Sequence, residues 1–336
     1  MMTLPPGKLD GALLARLLAR IQLPPEVVVG PGVGRDVTVL DLGHEELLLA
    51  KTDPVTFATD AIGYYLVAVN SNDLATSGGV PRWLLVTALL PAGQTTEAVV
   101  EDIFHQLREA CAAVGVSLVG GHTEITPGVD RPILVGQMLG TVPRDELVRP
   151  DGIQPGDAIL LTKGIPLEGV SLIAREKRAE LLQRGYEAEF LDRCAGLLFS
   201  PGIMVLPEAR ALCAALRPHA LHDPTEGGLT TGLWEMAEAS GVGLRIEAER
   251  IPILPEGRRL CAEYGVDPLG LIASGALLAA VAAADGERAL AACAAVGVPC
   301  AQIGWATEPA AGVILVEGGQ PRVMPRYDQD EITRVL

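Results

Sequence analysis

Residues 66–81 read LVAVNSNDLATSGGVP. Leu66, Val67, Val69, Leu74 and Ala75 are the packing residues of a buried helix over about 61–77. Asn70, Asp73 and Ser77 fall at i, i+3 and i+7, so a helix gathers them on one stripe. An unpaired carboxylate is costly to bury, so Asp73 needs a wet surface or a partner such as a metal or a donor. Ala75, Ser77, Gly78 and Gly79 end the stretch in small residues that let another backbone or a ligand come close. The stretch reads as one wall of a ligand site.

Working outward, 9–21 (DGALLARLLARIQ) has helical periodicity, and Gly30, Gly32 and Gly34 form a glycine loop before an alternating strand at Val37 and Val39. ELLLAKT (46–52) is a strand running into Asp53. RWLLVTALL (82–90), VSLVGGHTEI (116–125) and PILVGQMLGTV (132–142) are further strands, and 95–114 is a long helix. The polar, turn-rich segment 143–156 marks a boundary, giving domains 1–148 and 149–336. Beyond it come a strand at 157–164, helices near 167–183, 187–198 and 203–216, and a strand, glycine loop and helix across 219–241. A strand at 242–251, ALLAAV (276–281), a helix at 285–296 and strands near 300–306 and 312–316 follow. Strands and helices mix without a regular βαβ rhythm, so the fold class is α+β.

The 336 residues carry a net charge of −16, which argues against a nucleic-acid surface, since that needs a basic patch. An acidic protein handling anionic nucleotides would use metal ions, backbone amides and a few basic residues. The six cysteines form no CxxC pair and read as buried thiols, although Cys293 and Cys300 could pair or ligate. No apolar run approaches the ~18 residues of a membrane span, and no leader-like segment opens the chain, so a cytoplasmic location is expected.

No P-loop, Rossmann fingerprint, HExxH or GxSxG motif occurs. Carboxylates instead sit at strand ends or glycine breaks: Asp36, Asp53, Asp73, Glu124 and Asp223. Mg²⁺ takes oxygen ligands, often one or two carboxylates plus substrate phosphates, so converging acids would suit it. Taken singly, each could equally cap a turn. In DPTEGGL, Thr225 can cap the next helix and Gly227-Gly228 can take restricted backbone angles, leaving amides for an anion. GPGVG (30–34) could form a similar phosphate nest. A tight structural turn explains either loop as well.

GVGRDVTVL (32–40), KTDP (51–54), VNSNDLATSGGVP (69–81), GGHTEI (120–125), GDAILLTKG (156–164), HDPTEGGL (222–229) and IASGALLAAV (272–281) follow in order across nearly the whole chain. In this set the sequence resembles the aminoimidazole ribonucleotide (AIR) synthase, or PurM-like, superfamily. That superfamily includes thiamine-monophosphate kinase, selenophosphate synthetase and the HypE branch, which DPTEGG and IPILPE resemble most. The resemblance implies a two-domain α+β architecture: an N-terminal dimerisation domain with a mixed sheet, and a C-terminal α/β domain. It implies a homodimer, with ATP in a cleft between domains and Mg²⁺ on acidic residues. Position by position it implies Asp36, Asp53, Asp73 and Asp223 as metal ligands, with Glu124 beside them. Gly32, Gly34, Asn70, Asn72, Thr123, Thr225, Gly227 and Gly228 are implied toward the nucleotide.

The activity implied is ATP-driven phosphorylation of an amide or acyl oxygen, on a small molecule or partner protein. The alternatives are a small-molecule kinase and a nucleotide-binding scaffold without turnover. Partners expected are ATP and a second copy, with no nucleic acid and no membrane. Two departures stand out. His122 occupies a position where several members carry a metal-binding Asp. The sequence ends DEITRVL with no cysteine after Cys300, so the tail-cysteine modification of the HypE branch is not expected of the chain as given.

Overall fold

In ELLLAKTDPV the odd-numbered positions point one way, and that alternation organises the first half of the molecule. The computed structural model describes Leu9, 11–327 and 329–336. By its internal contacts the chain divides into two units. One comprises Leu23–Gly30 and Asp36–Leu147. The other comprises Val148–Leu336, Pro31–Arg35 and the described residues before Leu23, including helix α1 (Gly11–Leu18). Within the expected first domain, 1–148, the described residues before Leu23 and Pro31–Arg35 group with the C-terminal unit.

The N-terminal unit holds strands β1 (Val27–Val29), β2 (Thr38–Leu40), β3 (Glu46–Val55), β4 (Val80–Pro91), β5 (Ser117–Thr126) and β6 (Ile133–Pro143). They form one sheet in the order β1-β2-β3-β6-β4-β5, antiparallel except for the parallel β4–β5 pair. Helices α2 (Ile62–Thr76) and α3 (Glu97–Val114) pack together, with α2 against β3, β6 and β4. α3 starts at Thr96, whose hydroxyl accepts the Val99 amide, and stops at Gly115. Helix α2 is apolar nearly all round and is buried nearly all round. The small residues at its C-terminal end serve close packing: a Cβ on Gly79 would lie 2.0 Å from a Leu49 methyl.

The C-terminal unit adds β7 (Ala158–Thr162), α4 (Leu167–Glu176), α5 (Arg178–Gln183), α6 (Ala188–Gly196), α7 (Leu206–Ala215), β8 (Ala220–His222), α8 (Gly228–Ser240), β9 (Gly243–Glu247), α9 (Pro255–Tyr264), β10 (Leu278–Val281), α10 (Gly286–Ala295), β11 (Cys300–Thr307), β12 (Val313–Glu317) and β13 (Gln320–Val323). Its seven strands run β13-β12-β9-β11-β7-β10-β8. All five residues of β7 are buried, as the uninterrupted AILLT run requires of a strand covered on both faces. Leu229, Leu233, Leu244, Ile246, Leu278 and Ile303 anchor the core.

Residues 188–215 are together long and apolar enough for a membrane span, contrary to the expectation of no such run. Ser200 (φ −144°, ψ 112°) and Pro201 break the run, and Leu191, Cys194, Ala209 and Leu212 on the flanking α6 and α7 are buried in the unit. Strands β1 and β13 and helix α9 carry no reading in the sequence analysis. Two are strands of three or four residues, and α9 has Pro at its first position.

Candidate functional site

On β3, the face that buries Leu47 and Leu49 continues through Lys51 and Asp53. Lys51 lies in register with Met138 and Asp53 with Gly136, both on β6. A Cβ on Gly136 would sit 2.5 Å from Asn70 Nδ2, so this face of the sheet meets the polar stripe of α2. The structure thus brings the opening stretch and KTDP together.

Asn70, Ser71, Asn72 and Asp73 are all buried, Asp73 to 3% exposure. The wet face allowed by the sequence is therefore not what holds Asp73. Lys51 Nζ lies 3.1 Å from Asp73 Oδ2, and the Asp73 carbonyl accepts the Thr76 hydroxyl at 2.7 Å. Asn70 Nδ2 donates to the carbonyls of Leu66 (2.9 Å) and Asp53 (3.3 Å), while its Oδ1 is buried with no hydrogen-bond partner. Carboxylate oxygens of Asp36 and Asp73 lie within 4.8 Å of each other.

Two carboxylates at that separation repel, and the Lys51 ammonium meets one of them. The carboxylate pair, the oxygen-only donors and the unsatisfied Asn70 oxygen fit a hard divalent cation such as Mg²⁺. Lys51 was missed in the sequence reading. Its signal is a cation two residues before Asp53 on the same strand face.

Gly136→Ala is expected to push Asn70 off its two carbonyls, since the added methyl meets a buried amide rather than a flexible side-chain tip. Overpacking of this kind costs about 1–3 kcal/mol, measurable as a lower urea midpoint.

The other site residues are placed as follows. Glu124 and His122 lie on β5, the edge strand. His122 is in register with Thr87, one residue beyond the Val86–Gly136 pair, so its side chain points away from α2. Glu124 Oε2 meets His122 Nε2 at 3.0 Å, and Glu124 Oε1 accepts the Thr126 hydroxyl at 2.8 Å. Those two bonds, the imidazole's first, hold the Glu124 carboxyl below its usual range. Glu124 therefore does not share the Asp36–Asp73 face within this unit. Thr123 is exposed on the same strand.

In the C-terminal unit Asp223 is buried directly after β8. Helix α8 is capped by Gly227 (φ +79°), not by the Thr225 side chain; the Thr225 carbonyl accepts the Gly228 amide instead. The Gly227 amide, expected to face an anion, donates to Asp330 Oδ2 at 2.6 Å. Asp330 Oδ1 also accepts from Ile272 N (3.2 Å) and Ile332 N (2.6 Å). An internal carboxylate thus occupies part of the anion position at this helix start. Nothing local in the sequence signals a partner 103 residues away.

Gly34 (φ +69°) of the GPGVG loop packs on α8, where a Cβ would lie 2.7 Å from the Glu235 carbonyl; a structural turn accounts for this glycine. Arg35 folds over Gly32.

Burial raises the Asp330 pKa to about 6, and its three amide donors pull against that rise. The folded value exceeds the unfolded one, so this carboxyl's contribution is full below about pH 4 and is lost as pH rises through 6. Wild-type stability should carry a component of about 3 kcal/mol that disappears across that window. Asp330→Asn should flatten it in pH-dependent thermal melts.

The profile of the AIR synthase related protein N-terminal domain matches residues 34–142, and that of the C-terminal domain matches 154–317. A hydrogenase expression/formation protein of Methanocaldococcus jannaschii is 29% identical over 306 residues, covering 89% of this chain and 88% of that one. Carbamoyl dehydratase HypE of Cupriavidus necator is 32% identical over 246 residues, 71% of this chain and 65% of that one. Among solved structures, HypE in a HypE–HypF complex superposes with a TM-score of 0.75 at 22% identity, over 94% of this chain and 100% of that one. AaThiL complexed with AMPPCP and TMP gives 0.71 at 20% identity, over 94% of each chain.

Proposed function

This chain belongs to the AIR synthase related protein family, on its HypE branch, and we propose that it is an ATP- and Mg²⁺-dependent enzyme. Its reaction is activation of an amide or acyl oxygen by phosphorylation, on a small molecule or a partner protein. The observation that carries the reading is the Asp36–Asp73 carboxylate pair, with Lys51 on one member and the unsatisfied Asn70 Oδ1 beside it.

Asp36 and Asp73 are the residues to hold the magnesium, with Asp53 and Asp223 as further acids. When bound, the metal would neutralise charge on the phosphoryl oxygens. Lys51 holds Asp73 in place through their ion pair. Asn70 presents a carboxamide oxygen held in position by its two donor bonds. Gly32, Gly34, Asn72, Thr123, Thr225, Gly227 and Gly228 are proposed toward the nucleotide, the Gly227 amide only after Asp330 releases it.

The names of a relative, a hydrogenase expression/formation protein, and of a structural neighbour, hydrogenase maturation protein HypE, support a role in hydrogenase maturation. HypE in complex with HypF supports a protein partner. A homodimer is proposed through β5, an edge strand whose Val119 and Ile125 are both exposed. The net charge of −16 supports a partner set without nucleic acid or membrane, in the cytoplasm.

One observation favours a second reading, a kinase of the thiamine-monophosphate type: the AaThiL likeness spans 94% of each chain. The test is ADP release from Mg·ATP across carbamoyl, carboxamide and alcohol substrates. ADP with an amide or acyl substrate, abolished by EDTA, supports the first reading. A stable phosphorylated alcohol identifies the kinase. Nucleotide binding without ADP on any substrate identifies a scaffold, and absence of Mg²⁺-dependent ATP binding overturns all three.

A further inference from the structure

The start of α8 is closed by a carboxylate that belongs to the chain itself. Two consecutive left-handed glycines, Gly227 (φ +79°) and Gly228 (φ +65°), open the helix, and no cap side chain bonds its first amides. The Gly227 amide donates to Asp330 Oδ2 at 2.6 Å. Ile272, on a separate segment, donates its amide to Asp330 Oδ1 at 3.2 Å. Two amides from different parts of the C-terminal unit thus converge on one carboxylate, buried to 4% exposure. A helix start of this kind draws anions, and here the anion is a side chain.

The turn that carries Asp330 is fastened on both sides of it. Asp330 caps the turn through the Ile332 amide at 2.6 Å. The Glu331 amide donates to the Gly270 carbonyl at 3.2 Å, and Glu331 Oε2 accepts the Asp267 amide at 3.0 Å. Tyr327 donates its hydroxyl to Asp267 Oδ2 at 2.6 Å and lays its ring on Gly270, where a Cβ would lie 2.6 Å from the ring. The packing is equally tight at the glycines, since a Cβ on Gly228 would lie 2.6 Å from the Leu269 carbonyl oxygen.

We propose that Asp330 is a specificity residue: its carboxylate holds the place of a phosphate at the start of α8, so a ligand that would set a phosphate there binds weakly. The inference rests on the proposed placing of Gly227 and Gly228 toward the ligand. Asp330 occupies the amides that a phosphate would need, and a buried carboxylate with three amide donors resists displacement. Glu226, beside Gly227 in the chain, repels a negative charge at the same place. For the proposed reaction the consequence is a class of acceptor. An amide or carbamoyl group without a phosphate of its own meets no competitor, whereas an acceptor that is itself a phosphate monoester does. A nucleotide phosphate directed to this place meets the same competitor.

The test compares the full-length wild type with Asp330→Ala by titration calorimetry at constant ionic strength. The probes are inorganic phosphate, phenyl phosphate and Mg·ATP. The wild type should show no saturable binding of inorganic phosphate or phenyl phosphate. Asp330→Ala should bind both at least about 10-fold more tightly, because it removes the competitor and leaves two converging amides to be satisfied. A matching gain for Mg·ATP would assign the place to a nucleotide phosphate. A gain confined to the other two probes would support the specificity role and withdraw Gly227 from the nucleotide reading. Should Asp330→Ala fail to fold, Asp330→Asn keeps the shape, removes the charge and should show a smaller gain of the same sign. A folded variant that binds every phosphate probe no better than the wild type would overturn the proposal. So would wild-type binding of inorganic phosphate as tight as the variant's.

Discussion

Asp73→Asn is expected to weaken Mg²⁺-dependent ATP binding about 100-fold, roughly 2.7 kcal/mol, while the protein still folds. Asp36 and Asp73 present oxygens within 4.8 Å of each other, and Lys51 Nζ lies 3.1 Å from Asp73. Asn keeps the shape of Asp73 but removes the charge that a divalent cation answers. It also relieves the repulsion with Asp36, which offsets part of the cost of leaving Lys51 without the Asp73 charge.

The companion variant, Lys51→Met, should act in the opposite sense. It removes the ammonium that meets Asp73, lowers the melting temperature in EDTA, and makes stability depend more steeply on Mg²⁺. Thermal shift with and without metal reads both variants. Unfolding of Asp73→Asn even in Mg·ATP would mean that the carboxylate serves packing alone.

Lys163→Met carries the largest expected stability effect, about 3–5 kcal/mol in urea unfolding. Lys163 is buried at the end of β7 with φ +57°, and its Nζ lies 2.8 Å from Glu208 Oε1. It also donates to the carbonyls of Met204 (2.6 Å) and Gly202 (3.2 Å). The Thr162 hydroxyl donates to Glu208 and accepts the Leu277 amide, which ties β7, α7 and the start of the β10 segment into one network. Burial pulls the Lys163 pKa down and Glu208 pulls it back up. Removing Lys163 leaves Glu208, at 0% exposure, as an uncompensated charge. The double variant Lys163→Met, Glu208→Leu should recover most of the loss, because it removes both buried charges together. A double variant no more stable than the single one would show that the lost bonds to the Gly202 and Met204 carbonyls, and not the charge on Glu208, set the cost.

Much of this was legible in the sequence where local pattern and tertiary demand agree. The alternation of ELLLAKTDPV, the apolar runs at 82–90 and 132–142, and the helix over Asn70–Asp73 all appear as read, and the α+β class follows from them. What stayed hidden depends on long-range pairing. Lys51 meets Asp73 only because β3 lies beneath α2. Asp330 meets Gly227 only once the chain's last described turn has folded back onto the start of α8. Thr225 looked like a helix cap because of its position in DPTEGG, but two consecutive left-handed glycines start the helix later. Glu124 grouped with the other acids by its place at a glycine break. The period-two alternation of β5 sends it to the opposite face with His122.

The account's central claim is a divalent-cation nucleotide site built on Asp36 and Asp73, and calorimetric titration of ATP into the wild-type protein tests it most directly. Saturable binding in Mg²⁺ that vanishes in EDTA and is lost in Asp73→Asn is the predicted result. Binding that is indifferent to EDTA, or equally strong in folded Asp73→Asn, would contradict it.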